Sequence, residues 1–176
     1  KYKDVTYKEK KETEIDILLL SQLAYLPMDN INFKNNKKYS LKEIADNIDR
    51  QVFLKSLIAQ RNALKLLDTI KDLPRFKDIK VTCYEYEADI NSQFGAVTFL
   101  LPNKKIIIAF QGTDDTISGW KEDACLSYLY PTTSQEMAGN YVEKIISKFK
   151  HPVIICGHSK GGNLALVASY KRNLFF

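Results

Sequence analysis

Cysteine occurs only at Cys83, Cys125 and Cys156, an odd number with no CxxC spacing. That excludes a disulfide framework and a zinc site, and the thiols read as reduced and partly buried. Long hydrophobic runs are lacking too. The most apolar N-terminal stretch, IDILLL at residues 15–20, is far short of the roughly 18 to 20 apolar residues that span a bilayer. It runs on into SQLAYLPMD without a signal-peptide cleavage context. A cytoplasmic protein with no transmembrane segment is expected, contact with a membrane surface remaining open. Internal repeats, low-complexity linkers and a second domain are absent, and histidine is confined to His151 and His158.

Acidic character is also lacking: the net charge is +5. The densest lysine cluster, KYKDVTYKEKKETE at the N-terminus, has acids mixed into it, which fits a solvated face. No RNA- or DNA-binding signature accompanies it, so no nucleic-acid partner is expected. What is present is enough to build a core, with 45% hydrophobic and 11% aromatic residues in 176. The chain begins at Lys1 and closes on Leu174, Phe175 and Phe176, residue types that favour burial. Both ends read as cuts.

Hydrophobic spacing divides the chain into a mainly helical region, residues 1–75, and a sheet region, residues 76–176. In EIDILLLSQLAYL, Ile15, Leu19, Leu23 and Leu26 fall at helical spacing with Pro27 as the stop, predicting a buried helix over 14–26. Ser40 followed by Glu43 makes a capping box for a helix over 41–48. A further helix over 52–71 carries Leu54, Leu57, Ile58, Leu64 and Leu67. After DLPRFKD the pattern switches to strands over 79–88, 94–101 and 104–112, the first two pairings antiparallel. IIIAF is an unbroken apolar run of the kind buried on both faces of a sheet. A helix over 134–149 presents Met137, Tyr141, Ile145 and Phe149 on one face, and the strand PVIIC and the helix GGNLALVASYKR follow it. Strand, helix, strand predicts parallel pairing of IIIAF with VIICG. The aromatic residues Tyr84, Tyr86, Phe94 and Phe99 read mainly as core, with an apolar cleft as the alternative.

The stretch GHSKG, Gly157 to Gly161, has the GxSxG pattern of a nucleophile elbow, with Ser159 at its centre. Such a pattern arises by chance in roughly one chain in twenty of this length, so its placement matters more than its occurrence. Here an apolar strand ends at Gly157 and a helix of small residues starts after Ser159. A serine in so tight a turn needs neighbours without side chains, which Gly157 and Gly161 supply. Two other readings stand beside this one: a glycine-rich strand-to-helix turn without chemistry, and a phosphate-cradling variant suggested by Lys160. The GxxxxGK[ST] pattern is absent, and the lysine is misplaced for it.

Acyl transfer builds negative charge on the carbonyl oxygen, and the backbone N–H after the nucleophile, that of Lys160, is one expected donor. The loop AFQGTDDTISGW leaves IIIAF and turns at Gly112, so Thr113 offers a second donor through its N–H or hydroxyl. The same loop also reads as a capping turn, with Asp114 or Asp115 opening a short helix that carries Trp120.

Together, IIIAFQGTDDTISGWKEDACLSY and GHSKGGNLA resemble the class 3 lipase group. They are especially similar to an uncharacterised bacterial, lipase-like (Mbeg-like) branch, whose N-terminal opening DILLLSQLAYL also resembles. The likeness covers most of the chain. It implies an α/β-hydrolase fold, a mixed sheet with a parallel core, and a lipase or esterase acting on an acyl ester or lipid through an acyl-Ser159 intermediate. It also implies an oxyanion hole from Thr113 and the Lys160 N–H, with Trp120 on a lid. Gln111 departs from the pattern, where many relatives have Arg, and any salt bridge made there is lost. No cofactor and no metal are expected.

A serine nucleophile needs a base and an orienting carboxylate. In this fold both follow the serine, yet His151 and His158 precede it and no Asp or Glu follows it. His158 is beside Ser159 in the elbow, where it reads as a neighbour packed against the strand or a contact to substrate. His151 is at the strand's far end. Asp114, Asp115 and Asp123 read as braces of the oxyanion loop. The triad Asp and His are therefore expected beyond Phe176, in a C-terminal part of the fold that these residues do not contain. The rival reading is a hydrolase-like fold that binds an acyl or lipid ligand, or a protein partner, without turnover.

Overall fold

The computed structural model describes residues 2–54, 56, 58–89, 92–113 and 130–171. It is an α/β arrangement with a five-stranded mixed sheet in the order β1-β2-β3-β4-β5. The strands are β1 Tyr39–Ser40, β2 Lys80–Ala88, β3 Gln93–Leu100, β4 Ile106–Phe110 and β5 Val153–Gly157. β2, β3 and β4 pair antiparallel in succession, and β4 pairs parallel with β5. The helices among the described residues are α1 Glu14–Gln22, α2 Leu41–Asn47, α3 Ile58–Ile70, α4 Thr133–Lys148 and α5 Lys160–Lys171.

Alternation of side chains along the strands gives the sheet two covered faces. Val97, Phe99, Ile107 and Ala109 join the core built with the N-terminal helices. Phe94, Ala96, Ile106, Ile108 and Phe110 join the core built with α4 and α5. β4, flanked by strands on both edges and helices on both faces, is buried throughout, as its apolar run leads one to expect.

The expected helix ends hold where caps mark them. Ser40 accepts from the Glu43 N–H, and the Glu43 carboxylate accepts from the Ser40 N–H and hydroxyl. Thr132 and Gln135 cap α4 in the same way. On α4, Tyr141 and Ile145 face the core as expected, together with Ala138 and Val142.

Two expectations require correction. The helix expected over 52–71 is divided: Arg50–Leu54 forms a 3-10 turn and the α-helix starts at Ile58, leaving Leu54 exposed. The first helix ends at Gln22, with Leu23–Tyr25 in a 3-10 turn; Leu23 and Leu26 are buried as expected, but at the helix start Asp16 takes the buried position expected of Ile15. Ile15 is 62% exposed and Leu18 52%, whereas Asp16, Leu20 and Leu23 are buried.

The reason is Asp16, which turns inward to meet Arg75, itself 1% exposed. Arg75 Nε donates to Asp16 Oδ1 at 3.1 Å and Nη2 to Oδ2 at 2.6 Å. The remaining Nη2 hydrogen goes to the Lys11 carbonyl, and the two Nη1 hydrogens are shared among the carbonyls of Val5, Thr6 and Lys10. A planar five-donor group can bind this many convergent oxygens, and it thereby ties the N-terminal segment to α1 and to the turn before β2.

Candidate functional site

Parallel pairing of β4 with β5 puts Phe110 opposite Gly157, so both strands end at the same edge of the sheet. The segment leaving β4, Gln111 to Thr113, is thereby set beside the segment leaving β5, His158 and Ser159. Crevices outside the carboxyl ends of parallel strands are where α/β sheets hold ligands. Gly112 lies against the carbonyl of His158 and the hydroxyl of Tyr25.

Ser159 is exposed, and its backbone has φ = 55°, in the left-handed region. For a residue with a Cβ this conformation costs on the order of 1–3 kcal/mol and persists only where surrounding structure enforces it. That structure is the close approach of strand and helix. A Cβ on Gly157 would collide with the carbonyl of Gly161, and one on Gly161 with the carbonyl of Phe110. The first turn of α5 closes directly on the elbow, with the Gly161 N–H donating to His158 O at 3.0 Å and Gly162 N–H to Ser159 O at 2.8 Å. Gly161→Ala is expected to cost about 1–3 kcal/mol, the usual penalty for overpacking; urea unfolding of the variant beside the parent measures it.

Lys160 opens α5 and is 4% exposed. Its Nζ donates to the backbone carbonyl of Gln93 at 2.6 Å. The same carbonyl accepts from Ser134 Oγ at 3.0 Å, and Gln135 Nε2 donates to Asn163 Oδ1 at 2.8 Å. The elbow is thus joined to the start of β3 and to the first turn of α4. A lysine turned inward to a carbonyl counts against the phosphate-cradle reading of GHSKGG.

His158 is exposed at the backbone turn, and its Nδ1 lies 3.1 Å from Tyr25 Oη. The ring meets Tyr25 edge to face, with centroids 6.3 Å apart. His151 is at the opposite end of β5, just before Val153. Cys156, under the elbow, has its thiol pushed up to about 12 by burial, so it is not a thiolate nucleophile at neutral pH.

Gln111 is buried and packs over Gly95, whose carbonyl accepts its backbone N–H at 2.8 Å. Thr113 is half-buried at the end of this segment. Trp120, Cys125 and the acids Asp114, Asp115 and Asp123 lie outside the described residues. Of the strand aromatics, Phe94 and Phe99 are core. Tyr84 and Tyr86 line an open groove of about 530 Å³ with Met28, Ile31 and Phe33. A small cavity of about 70 Å³ is lined by Tyr25, Gln111, Tyr84 and Tyr86.

Three features here were not visible in sequence: Tyr25 against His158, Gln93 as the acceptor for Lys160, and Ser134 on the same carbonyl. The Tyr25–His158 contact bridges 133 positions, and no local spacing announces it. Among the described residues no group of three or more His, Cys, Asp or Glu could hold a metal ion, and no helix is long and apolar enough to cross a membrane.

Comparison with known proteins found no curated protein and no solved structure that matches the chain. The Mbeg1-like family model matches residues 69–173, which takes in β2 to β5, α4, the elbow and all of α5. The chain belongs to the Mbeg1-like family.

Proposed function

We propose that this chain carries the nucleophile, Ser159, of a lipase-like serine ester hydrolase of the α/β-hydrolase kind. The observation that carries the reading is the exposed serine at φ = 55° between β5 and α5, wedged by Gly157 and Gly161. A bland turn has no need of a strained serine, whereas a nucleophile gains from being held out at the sheet edge. The Mbeg1-like family's association with lipase-like proteins supports the same assignment.

In this mechanism Ser159 Oγ attacks the ester carbonyl carbon while its proton passes to a histidine base. The carbonyl oxygen takes up the negative charge and is met by the Lys160 N–H and by Thr113. Collapse of the intermediate breaks the bond to the alcohol, which leaves with the proton, and water then releases the acid from acyl-Ser159. His158 borders the substrate. The substrate is an acyl ester or lipid, and no cofactor takes part.

This reading needs a base and a carboxylate that the described residues do not place at Ser159, since His158 is engaged by Tyr25 and His151 is a strand length away. Because residues 1–176 hold no placed base, a second reading applies to them: a fold that binds an acyl ligand or a partner without turnover. Hydrolysis of p-nitrophenyl butyrate by residues 1–176 and by the full-length protein separates the two. The full-length protein is expected to turn over and residues 1–176 to show at most traces. No hydrolysis by the full-length protein would favour the binding reading.

A further inference from the structure

We infer that the side chain of Lys160 is a positioning residue for the candidate oxyanion site, acting through its hydrogen bond to the Gln93 carbonyl. The inference rests on the serine-hydrolase reading of Ser159 and adds to it a role for the lysine's amine, distinct from that of its backbone N–H.

In the sheet, β4 lies between β3 and β5. Lys160 follows the end of β5, and Gln93 is the first residue of β3, which runs antiparallel to β4 and so starts at the same sheet edge. To reach Gln93 the lysine side chain must cross the carboxyl end of β4, where Gln111 to Thr113 depart. The lysine side chain, ending in its 2.6 Å bond to Gln93, therefore links the exit of β5 to the start of β3 across β4.

Two anchors close the span. The Gln93 carbonyl is fixed from the other side by Ser134 Oγ, so both of its acceptor sites are engaged by side chains. The backbone of the next residue in α5, Gly161, packs on the carbonyl of Phe110 and on Gln111. The N–H of Lys160 and the N–H and hydroxyl of Thr113 belong to the two segments that this strut holds at fixed separation. An oxyanion donor set works only if its donors are set before the charge develops. A displacement of about 1 Å can cost about 100-fold in rate.

A buried lysine that reaches a main-chain oxygen is a demanding choice for mere filling, because the amine must be desolvated and satisfied at once. Methionine would fill the same space without the hydrogen bond, and that difference is the test. In the full-length protein, Lys160→Met is compared with the parent and with Tyr141→Phe. Tyr141 shares a buried hydrogen bond with Thr98 at 2.8 Å in the core beneath α4, and its ring, which the phenylalanine variant keeps, packs on Phe94 and Phe110. The readouts are kcat and KM on p-nitrophenyl butyrate, the rate of Ser159 labelling by a fluorophosphonate, and urea unfolding.

Expected for Lys160→Met is a fall in kcat and in labelling rate of about 10- to 100-fold, with KM changed less than about three-fold. Tyr141→Phe should lose stability while keeping the parental kcat and labelling rate. Should Lys160→Met fail to fold, Lys160→Gln is read in its place, with the same expected direction. Parental kcat and labelling in the folded lysine variant would overturn the inference and leave the hydrolase reading standing. A full-length parent that neither labels nor turns over would overturn both.

Discussion

Arg75→Ala is expected to destabilise the fold by about 3–5 kcal/mol, the range for removing one member of a buried, hydrogen-bonded ion pair. Truncation leaves the Asp16 carboxylate buried without its guanidinium and deprives the carbonyls of Val5, Thr6, Lys10 and Lys11 of a shared donor. It also removes the cation seated 4.0 Å over the ring of Tyr7. Arg75→Lys should recover only part of the loss, since a single ammonium cannot serve this fork of acceptors. Urea unfolding at neutral pH measures both variants, and a loss under about 1 kcal/mol for Arg75→Ala would contradict the arrangement.

The same pair gives a pH signature. Burial by itself would raise the Asp16 carboxyl, but hydrogen bonds from Arg75 and Thr13 outweigh it and hold the group below its ordinary value of 3.8. A carboxyl depressed in the folded state contributes stability that is complete above its unfolded pKa and is lost as pH falls through the folded one. The gap between the parent and Arg75→Ala should therefore be widest near neutrality and narrow below about pH 4.

The second large effect concerns chemistry. Ser159→Ala in the full-length protein is expected to lower kcat for ester hydrolysis on the order of 10⁶-fold, as loss of a triad serine does elsewhere. KM should change far less, because the hydroxyl contributes to the transition state and not to holding the substrate. A left-handed serine replaced by alanine keeps the same Cβ and the same backbone strain, so stability should be nearly unchanged. Parental turnover in the alanine variant would remove Ser159 from the mechanism.

Much of the sheet was legible in sequence because its signals are local. Alternation in KVTCYEYEA, the apolar runs IIIAF and VIICG, and the helical stretch between the latter two lead to the observed antiparallel and parallel pairings. Ser40 and Glu43, three positions apart, mark a helix start that the structure keeps. The first helix misled for a physical reason. Leucine spacing points its buried face through Ile15, but the burial of Asp16 is decided by Arg75, 59 residues away.

The elbow shows the same division. The need for small residues at Gly157 and Gly161 follows from the turn itself, and the structure supplies the colliding carbonyls. The placing of Gly112 against His158 follows from the parallel register of β4 with β5. What holds the elbow from below was not legible: Tyr25, Gln93 and Ser134 meet it only through folding. Lys160 in GHSKGG suggests an anion by its composition, yet its amine points to a carbonyl.

The central claim is that Ser159 is a nucleophile, and covalent labelling tests it most directly. The full-length protein is incubated with a fluorophosphonate, and the modified peptide is located by mass spectrometry. The account predicts a single adduct on Ser159 that is absent from Ser159→Ala. An unmodified Ser159, or an adduct that persists in the alanine variant, would contradict it.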